Sequence, residues 1–449
     1  MPNGYVKRHA EGTRFRVRHR ATDATDKAAD TAADTVGEPA AGSRRPRALF
    51  ISADVPWPPD GGGRIATLNN LRAFSRLYET DLVALADPLG PLDTAELERL
   101  CRRVVVIPHP FTFRRHRIRQ AWEAFRSLWS TQPYRLRKFR SARLARVLAE
   151  MRAENDYAVV HFDQFGVVQY PMPDVPTSYS CHNVESDIYR LGATVSGNPL
   201  IRLWSWQEGV KLRRSERKLL GQFDVVFTLA GEDALLLEKA GLRSLHVVPM
   251  PSPPLRHVQE PPREPVLLSL GTMSWFGVDE GLLWFHSEVY PLVREKVPGV
   301  RWNIAGPNAG PAIRRLNGTD GITVLGYVDD LRPTLESARA AVIPLHIAGG
   351  VRMKLLDLMA AGVPSVATVL GARGLGFDEG AGCFRRDDPR EFADALVALL
   401  TDDELWMRTV RLGQGFLADR HTEGRLDAEL TKALAMAAEH HACAARDRA

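Results

Sequence analysis

The chain has 449 residues, 45% of them hydrophobic and 25% charged, with a formal net charge of +5. That length is too great for one ordinary core and calls for two domains, and the composition is that of a soluble globular protein rather than a disordered or fibrous one. No apolar run approaches the roughly 18 residues a membrane-spanning helix needs, and the N-terminus lacks the apolar core of a secretory signal. In chain order, residues 1–45 read as a disordered tail, rich in Ala, Thr, Asp and Arg and poor in large apolar groups. Order begins with a buried strand, Ala48-Leu49-Phe50-Ile51-Ser52. A loop carrying Gly61, Gly62 and Gly63 leads into an amphipathic helix near 64–77. Further strands are predicted at Asp81–Ala86, Arg103–Ile107, Tyr157–Phe162, Thr177–Cys181, Asp224–Leu229 and Leu245–Val248, most of them separated by helical patterns.

Seven prolines between Pro249 and Pro265 then mark a stiff linker, placed at 251–265. A second alternating series follows, with strands near Val266–Leu270, Val300–Ala305, Ile322–Leu325, Ala341–Leu345 and Ser365–Thr368, and helices from about Pro389 to Glu439. Alternation of this kind means α/β architecture with doubly wound parallel sheets. The expected bodies are an acceptor-binding Rossmann-like domain over 46–250 and a nucleotide-sugar-binding one over 266–400. C-terminal helices over 401–449 end in a frayed terminus. Two such halves face each other across a cleft at the carboxyl ends of their strands, where ligands bind.

The four cysteines, Cys101, Cys181, Cys383 and Cys443, are scattered, with no metal or redox spacing. Structural thiols in a reduced, cytoplasmic compartment fit. The positive charge is local. Residues 111–152 hold twelve arginines and lysines against Glu123 and Glu150, interleaved with Phe111, Phe113, Trp122, Phe125, Trp129, Tyr134 and Phe139. Basic amphipathic helices of this sort lie on anionic membrane surfaces, peripherally at the inner face. A solvated face over core aromatics is the alternative. No recognition motif for nucleic acid accompanies the patch.

The most informative segment is Ile347-Ala348-Gly349-Gly350-Val351-Arg352-Met353-Lys354-Leu355-Leu356-Asp357. It follows a strand and opens a helix. Two glycines at a helix start leave backbone N–H groups open to an anion, Arg352 and Lys354 add charge, and the helix dipole adds more. Asp357 is a short carboxylate that can accept from a pair of sugar hydroxyls. One turn thus offers donors for a diphosphate and an acceptor for a ribose. Taken alone, the segment fits a plain tight turn with solvated charges equally well.

Other segments converge with it: Pro58-Pro59-Asp60-Gly61-Gly62-Gly63-Arg64, His182-Asn183-Val184-Glu185, Gly271-Thr272-Met273-Ser274-Trp275, Gly326-Tyr327-Val328-Asp329-Asp330-Leu331-Arg332-Pro333 and Met359-Ala360-Ala361-Gly362-Val363-Pro364. In this order and spacing they resemble the GT-B retaining glycosyltransferases of glycosyltransferase family 4. The bacterial branch acting in exopolysaccharide and related glycoconjugate synthesis is the nearest in look. The resemblance runs from about residue 47 to 420. It implies sugar transfer from a nucleotide donor with anomeric configuration retained, no cofactor and no required metal.

By that resemblance, Arg352 and Lys354 neutralise the departing diphosphate beside Gly349 and Gly350, and His182 faces the donor sugar as the third catalytic residue. Gly326, Tyr327 and Val328 lie beside the base, with Gly306 and the Pro307-Asn308 turn bordering the pocket, and no side chain decides between UDP, GDP and dTDP. Asp357 matches the second of two acids usual in the family, whereas the first falls on Gly349. Gly271 opens the second half without the family's frequent Arg and Lys. Glu185 binds acceptor, orients His182 or caps a helix start. Gly61, Gly62 and Gly63 permit close backbone approach to phosphate or acceptor. They also fit a G-x-G-x-x-A dinucleotide pattern with Asp87 ending the next strand. That fingerprint needs its glycines directly after the strand, and a proline-rich loop intervenes here. Arg373 stands where relatives often have an acid. The run from Trp204 to Lys218 resembles the family's long helix, so its charges read as structural.

The expected partners are a nucleotide-sugar donor, a saccharide or lipid-linked acceptor and an anionic membrane surface through 111–152, without nucleic acid. The rivals are tailoring of a soluble small molecule, epimerisation of a nucleotide-sugar, and a non-catalytic scaffold.

Overall fold

The computed structural model describes residues 45–90, 92–111, 115–195, 198–273, 276–347 and 349–446. Residues 1–44 of the expected tail lie outside them, as do Phe113 and Arg114, Ser274 and Trp275, and Ala348 of the Gly-Gly segment.

Short β-branched and apolar runs form β1 (Arg47–Ser52), β2 (Glu79–Ala86), β3 (Arg103–Pro108), β4 (Val159–Asp163), β5 (Thr177–Cys181), β6 (Val225–Thr228) and β7 (Leu245–Val247). They pair in parallel in the order β3-β2-β1-β4-β5-β6-β7. The second sheet holds β8 (Val266–Leu270), β9 (Arg301–Ala305), β10 (Ile322–Gly326), β11 (Ala340–Ile343), β12 (Ser365–Ala367) and β13 (Cys383–Arg385). Its order is β10-β9-β8-β11-β12-β13, again parallel. Central strands such as β1 are buried on both faces: Phe50 packs with the Gly62–Leu77 helix on one side, and Leu49 and Ile51 join the opposite cluster. Continuous apolar strands are what such a two-sided sheet requires. In each sheet the order of addition reverses beside the first strand, between β1 and β4 and between β8 and β11. The crevice outside those carboxyl ends is the ligand position of a doubly wound sheet. The architecture is that of two facing Rossmann-like domains, as expected.

Two features of the connections go beyond the sequence reading. The proline-rich 251–265 segment has no helix or strand, yet it is not a free spacer. The Arg256 amide donates to the Ala360 carbonyl at 2.8 Å, and Gln414 donates to the Arg256 carbonyl at 2.8 Å. Nor do the residues after 400 stay with the second half. The Glu423–Arg446 helix returns to the first domain, where Arg76 pairs with Asp427 (2.6 Å), His246 with Glu429 (2.9 Å), and a His440 ring nitrogen donates to the Asp224 carbonyl (2.8 Å). The two crossing strands of chain are tied where His421 donates to the Met250 carbonyl and the Ser252 amide to the His421 carbonyl, both at 2.7 Å. That pair of segments is the hinge between the lobes. The strand β13, Cys383-Phe384-Arg385, is not expected from the sequence: it lacks the apolar run that marks β7 and β12. Cys101, Cys181 and Cys383 are buried free thiols, as expected.

Candidate functional site

On the first lobe, β4 ends at Asp163 and β5 at Cys181, directly before His182. Register sets Asp163 beside Ser52 of β1 and Ser180 of β5. The helix that follows the glycine loop presents Thr67 and Asn70, three apart and therefore on one face. Thr67 Oγ1 donates to Asp163 Oδ1 at 2.6 Å, and Asn70 Nδ2 donates to Asp163 Oδ2 at 3.3 Å and to Ser180 Oγ at 3.0 Å. His182 Nε2 lies 3.1 Å from the Asp163 carboxylate, and both residues are buried. Burial opposes ionisation of Asp163, but the neighbouring His182 and His161 rings and the hydrogen bond from His182 hold its carboxyl well below the usual range. An ionised Asp163 accepts a hydrogen bond from Nε2–H, so the ring is fixed in tautomer and orientation with Nδ1 turned away from it. Asp163 is thus the residue that orients His182. Glu185, at the start of the Glu185–Val195 helix, is instead engaged by Arg135 at 2.9 Å.

On the second lobe the helix begins at Met353, with Arg352 as its first flanking residue, so Gly349 and Gly350 stand in the turn before it rather than at its first positions. Asn198, Asp388 and Asp402 cap other helices with their side chains, while several helix starts have no such cap. Here, among the described residues, no side chain caps the start. The Gly62–Leu77 helix, which begins at the glycine loop, is likewise uncapped by any side chain. The two open ends meet across the cleft: a Cβ on Gly62 would lie 3.2 Å from Met353 Cγ.

Arg352 is buried. One of its terminal nitrogens donates to the Gly349 carbonyl at 2.6 Å, while Nε and the other terminal nitrogen have no partner among the described residues. Burial, opposed by the Asp233 charge, pushes its pKa down to about 10. Lys354 extends to the end of β8, with its Nζ 2.8 Å from where a Cβ on Gly271 would stand. Burial and the Arg352 charge push Lys354 down to about 8. Asp357, one turn on, has no side-chain hydrogen bond among the described residues, and burial raises its carboxyl to about 6. Charges withdrawn from water without an ion-pair partner are costly, so a buried Arg352 beside a half-buried Lys354 and Asp357, none with an ion pair among the described residues, mark a place built for a ligand.

Gly271, Gly306 and Gly326 form a continuous floor at the ends of β8, β9 and β10. The Gly306 amide donates to the Gly326 carbonyl at 2.6 Å, and a side chain on Gly306 would strike the Gly271 carbonyl. Gly326 takes φ +68 where the β9–β10 register slips, and Tyr327 and Val328 follow it, half-buried. The structure therefore brings Gly271, Gly326, Gly349, Gly350, Arg352, Lys354 and Asp357 to one side of the crevice, and Gly61–Gly63 and His182 to the other.

The lobes are in contact here. A side chain on Gly350 would collide with the His182 carbonyl and with Asn183, and one on Gly349 with Ile188. The approach of the lobes thus leaves little space for a side chain at Gly349 or Gly350. Arg373 also has an account. It reaches from the second lobe to Asp187 at 3.1 Å and Asp233 at 3.4 Å on the first, and the Gly374 amide donates to Glu232 at 3.4 Å. Asp233 is buried beside Arg352, and desolvation raises it to about 6. A crevice of about 470 Å³ continues past this clasp, lined by Glu232, His346, Thr368, Arg373, Arg385 and Asp387 among others. Asp87, the acid of the competing dinucleotide pattern, is held 3.1 Å from His116. Among the described residues no cluster of His, Cys, Asp and Glu has the arrangement of a metal site.

Sequence reasoning missed Asp163, Asp233 and Arg373's partners. The one local signal was His161-x-Asp163 closing a strand.

Residues 264–402 match the family described as glycosyl transferases group 1. An uncharacterised 44.6 kDa protein in the cps region of Klebsiella pneumoniae is 21% identical over 363 residues, covering 78% of this chain and 90% of that protein. Among solved structures, Anabaena HepE in complex with UDP-glucose shares 14% identity at a TM-score of 0.60, over 87% of this chain and 99% of that one. An E. coli trehalose-6-phosphate protein bound with UDP-2-fluoro glucose shares 13% identity at a TM-score of 0.57, over 86% and 99%. The chain carries a glycosyltransferase group 1 domain in a GT-B fold.

Proposed function

We propose that the protein is a retaining glycosyltransferase that moves a sugar from a nucleotide-sugar to a saccharide acceptor, free or lipid-linked, without a required metal. The observation that carries this is the pair of cations, buried Arg352 with two unpartnered N–H groups among the described residues and half-buried Lys354, at a helix start without a side-chain cap in the inter-lobe crevice. A nucleotide-sugar already holds a good leaving group. Catalysis then consists mainly of stabilising the diphosphate as the anomeric bond breaks, which fixed cations and aimed amides do. Asp357 accepts from the ribose, and Gly326, Tyr327 and Val328 flank the base. His182, oriented by Asp163, supports the sugar as positive charge develops at its anomeric carbon. Contact between the lobes excludes water that would otherwise hydrolyse the donor. The cps-region relative supports a saccharide acceptor in polysaccharide or glycoconjugate synthesis.

A thermal-shift panel of UDP, GDP, dTDP and ADP tests the donor site. UDP heads the panel because the solved GT-B neighbours are complexes with UDP-sugars. One of the four at a hundred times its dissociation constant should add about 2.7 kcal/mol of stability. No shift with any of them refutes the assignment. Proton NMR of the product's anomeric centre tests retention, and turnover in excess chelator tests the independence from metal.

A further inference from the structure

Two helices of the first lobe turn large apolar side chains to solvent, one along its whole length and one over its first half. On the Arg117–Ser127 helix the buried side chains are Gln120 and Ser127, while Ile118, Trp122 and Phe125, at one-face spacing, turn to solvent. Ile118 is 90% exposed, and Trp129 just beyond the helix is 73% exposed. Gln120 is satisfied inwardly, donating to the Pro110 carbonyl at 2.7 Å and accepting from Tyr134 at 2.8 Å. The Pro199–Leu220 helix anchors Leu212 and Leu220 in the core at its C-terminal end, but its first half buries Ser205, Glu208 and Gly209 and exposes Leu200 (76%), Ile201, Leu203 and Trp206 (61%). Gln207 and Lys211 donate to the Leu128 and Ser127 carbonyls at 2.7 and 2.5 Å, holding the two helices side by side. The basic 111–152 segment therefore divides. Tyr134, Leu136 and Phe139 belong to the core and Arg137 pairs with Glu123, whereas residues 117–129 form the outer surface.

Arg117, Arg119, Arg126, Arg202, Arg213 and Arg214 are exposed around this surface and form no ion pair among the described residues. A second copy seated on it by a twofold axis would set these arginines against themselves. An apolar aromatic plate with a cationic rim is complementary to an anionic lipid surface, where aromatics enter the headgroup layer and arginines meet phosphates. We propose that this two-helix plate docks the protein on an anionic bilayer. The plate is joined to the crevice: Tyr189, on the helix that begins at Glu185, packs on Trp204 with ring centres 5.5 Å apart. Docking thus brings the His182 side of the cleft toward the membrane, where a lipid-linked acceptor resides. The surface stands or falls separately from the sugar-transfer reading, because its test reads lipid binding.

The full chain is sedimented with vesicles of phosphatidylcholine alone and of phosphatidylcholine mixed with phosphatidylglycerol. Binding is expected to the anionic vesicles and to be far weaker with the neutral ones. The triple variant Arg117→Gln, Arg119→Gln, Arg126→Gln should bind about 100-fold more weakly, at roughly fivefold per cation. The pair Trp122→Ser and Trp206→Ser should lose binding and the tryptophan blue shift. Unchanged melting temperatures show that the variants fold. Binding indifferent to lipid charge, or intact in both variants, overturns the proposal. So does wild-type self-association that the tryptophan pair abolishes, which would make the plate an interface between copies.

Discussion

Replacing Arg352 by Met should make the ligand-free protein more stable and its donor site nearly useless. The guanidinium is buried, with one bond to the Gly349 carbonyl and two N–H groups facing no partner among the described residues. Burial lowers its pKa to about 10. At about 1.4 kcal/mol per unit, that depression costs the folded state about 3 kcal/mol. The sign follows from linkage: the folded value lies below the unfolded one, so the cost is borne in full at neutral pH and is relieved only as pH rises through 10. Met keeps the length and packing of the stem and forfeits the Gly349 bond, worth about 1 kcal/mol. The net gain is about 2 kcal/mol, which for domains of this size raises the melting temperature by about 4–8 °C. Against this, the variant loses two charge-assisted bonds to a diphosphate, at about 1.5–3 kcal/mol each, so affinity should fall at least about 100-fold. Melting curves without ligand and calorimetric titration with the nucleoside diphosphate that stabilises the wild type read both effects. A variant that melts lower and still binds the diphosphate as before would refute the assignment of Arg352.

Three further outcomes are expected. His182→Ala and Asp163→Asn should each cut turnover while leaving nucleoside diphosphate affinity within about twofold, and the double variant should be little worse than His182→Ala alone, because the two act as one unit; additive losses would separate them. Arg373→Gln removes the 3.1 and 3.4 Å contacts between the lobes. Its radius of gyration by X-ray scattering should grow and its KM for donor should rise, and unchanged scattering would deny the clasp. Affinity for a nucleoside diphosphate should peak between about pH 6 and 8, set by Asp357 and Lys354. Above pH 8 binding must restore the Lys354 proton, so affinity falls as pH rises; Lys354→Arg should remove that alkaline limb, and a limb that persists would assign it elsewhere.

What was legible in the chain was what is encoded locally. Strand and helix periods are local, and they placed twelve of the thirteen strands to within about two residues, missing only the three-residue β13. The Gly-Gly turn, Arg352, Lys354 and Asp357 are local as well, a cluster within nine residues of sequence. The reading failed where a residue's meaning comes from a distant partner. Asp163 looks like any acid closing a strand until Thr67, 96 residues earlier, and His182, 19 residues later, converge on it. Arg373 looks misplaced until Asp187 and Asp233 arrive from the other lobe. The same logic governs Gly349. Viewed within its own segment it is a missing carboxylate, and within the closed pair of lobes it is the residue that lets Ile188 and Asn183 approach. A side chain there would hold the lobes apart and expose Arg352 to water. The close approach of the lobes at Gly349 and the burial of Arg352 therefore belong to one arrangement, with the buried Asp233 of the first lobe beside the arginine.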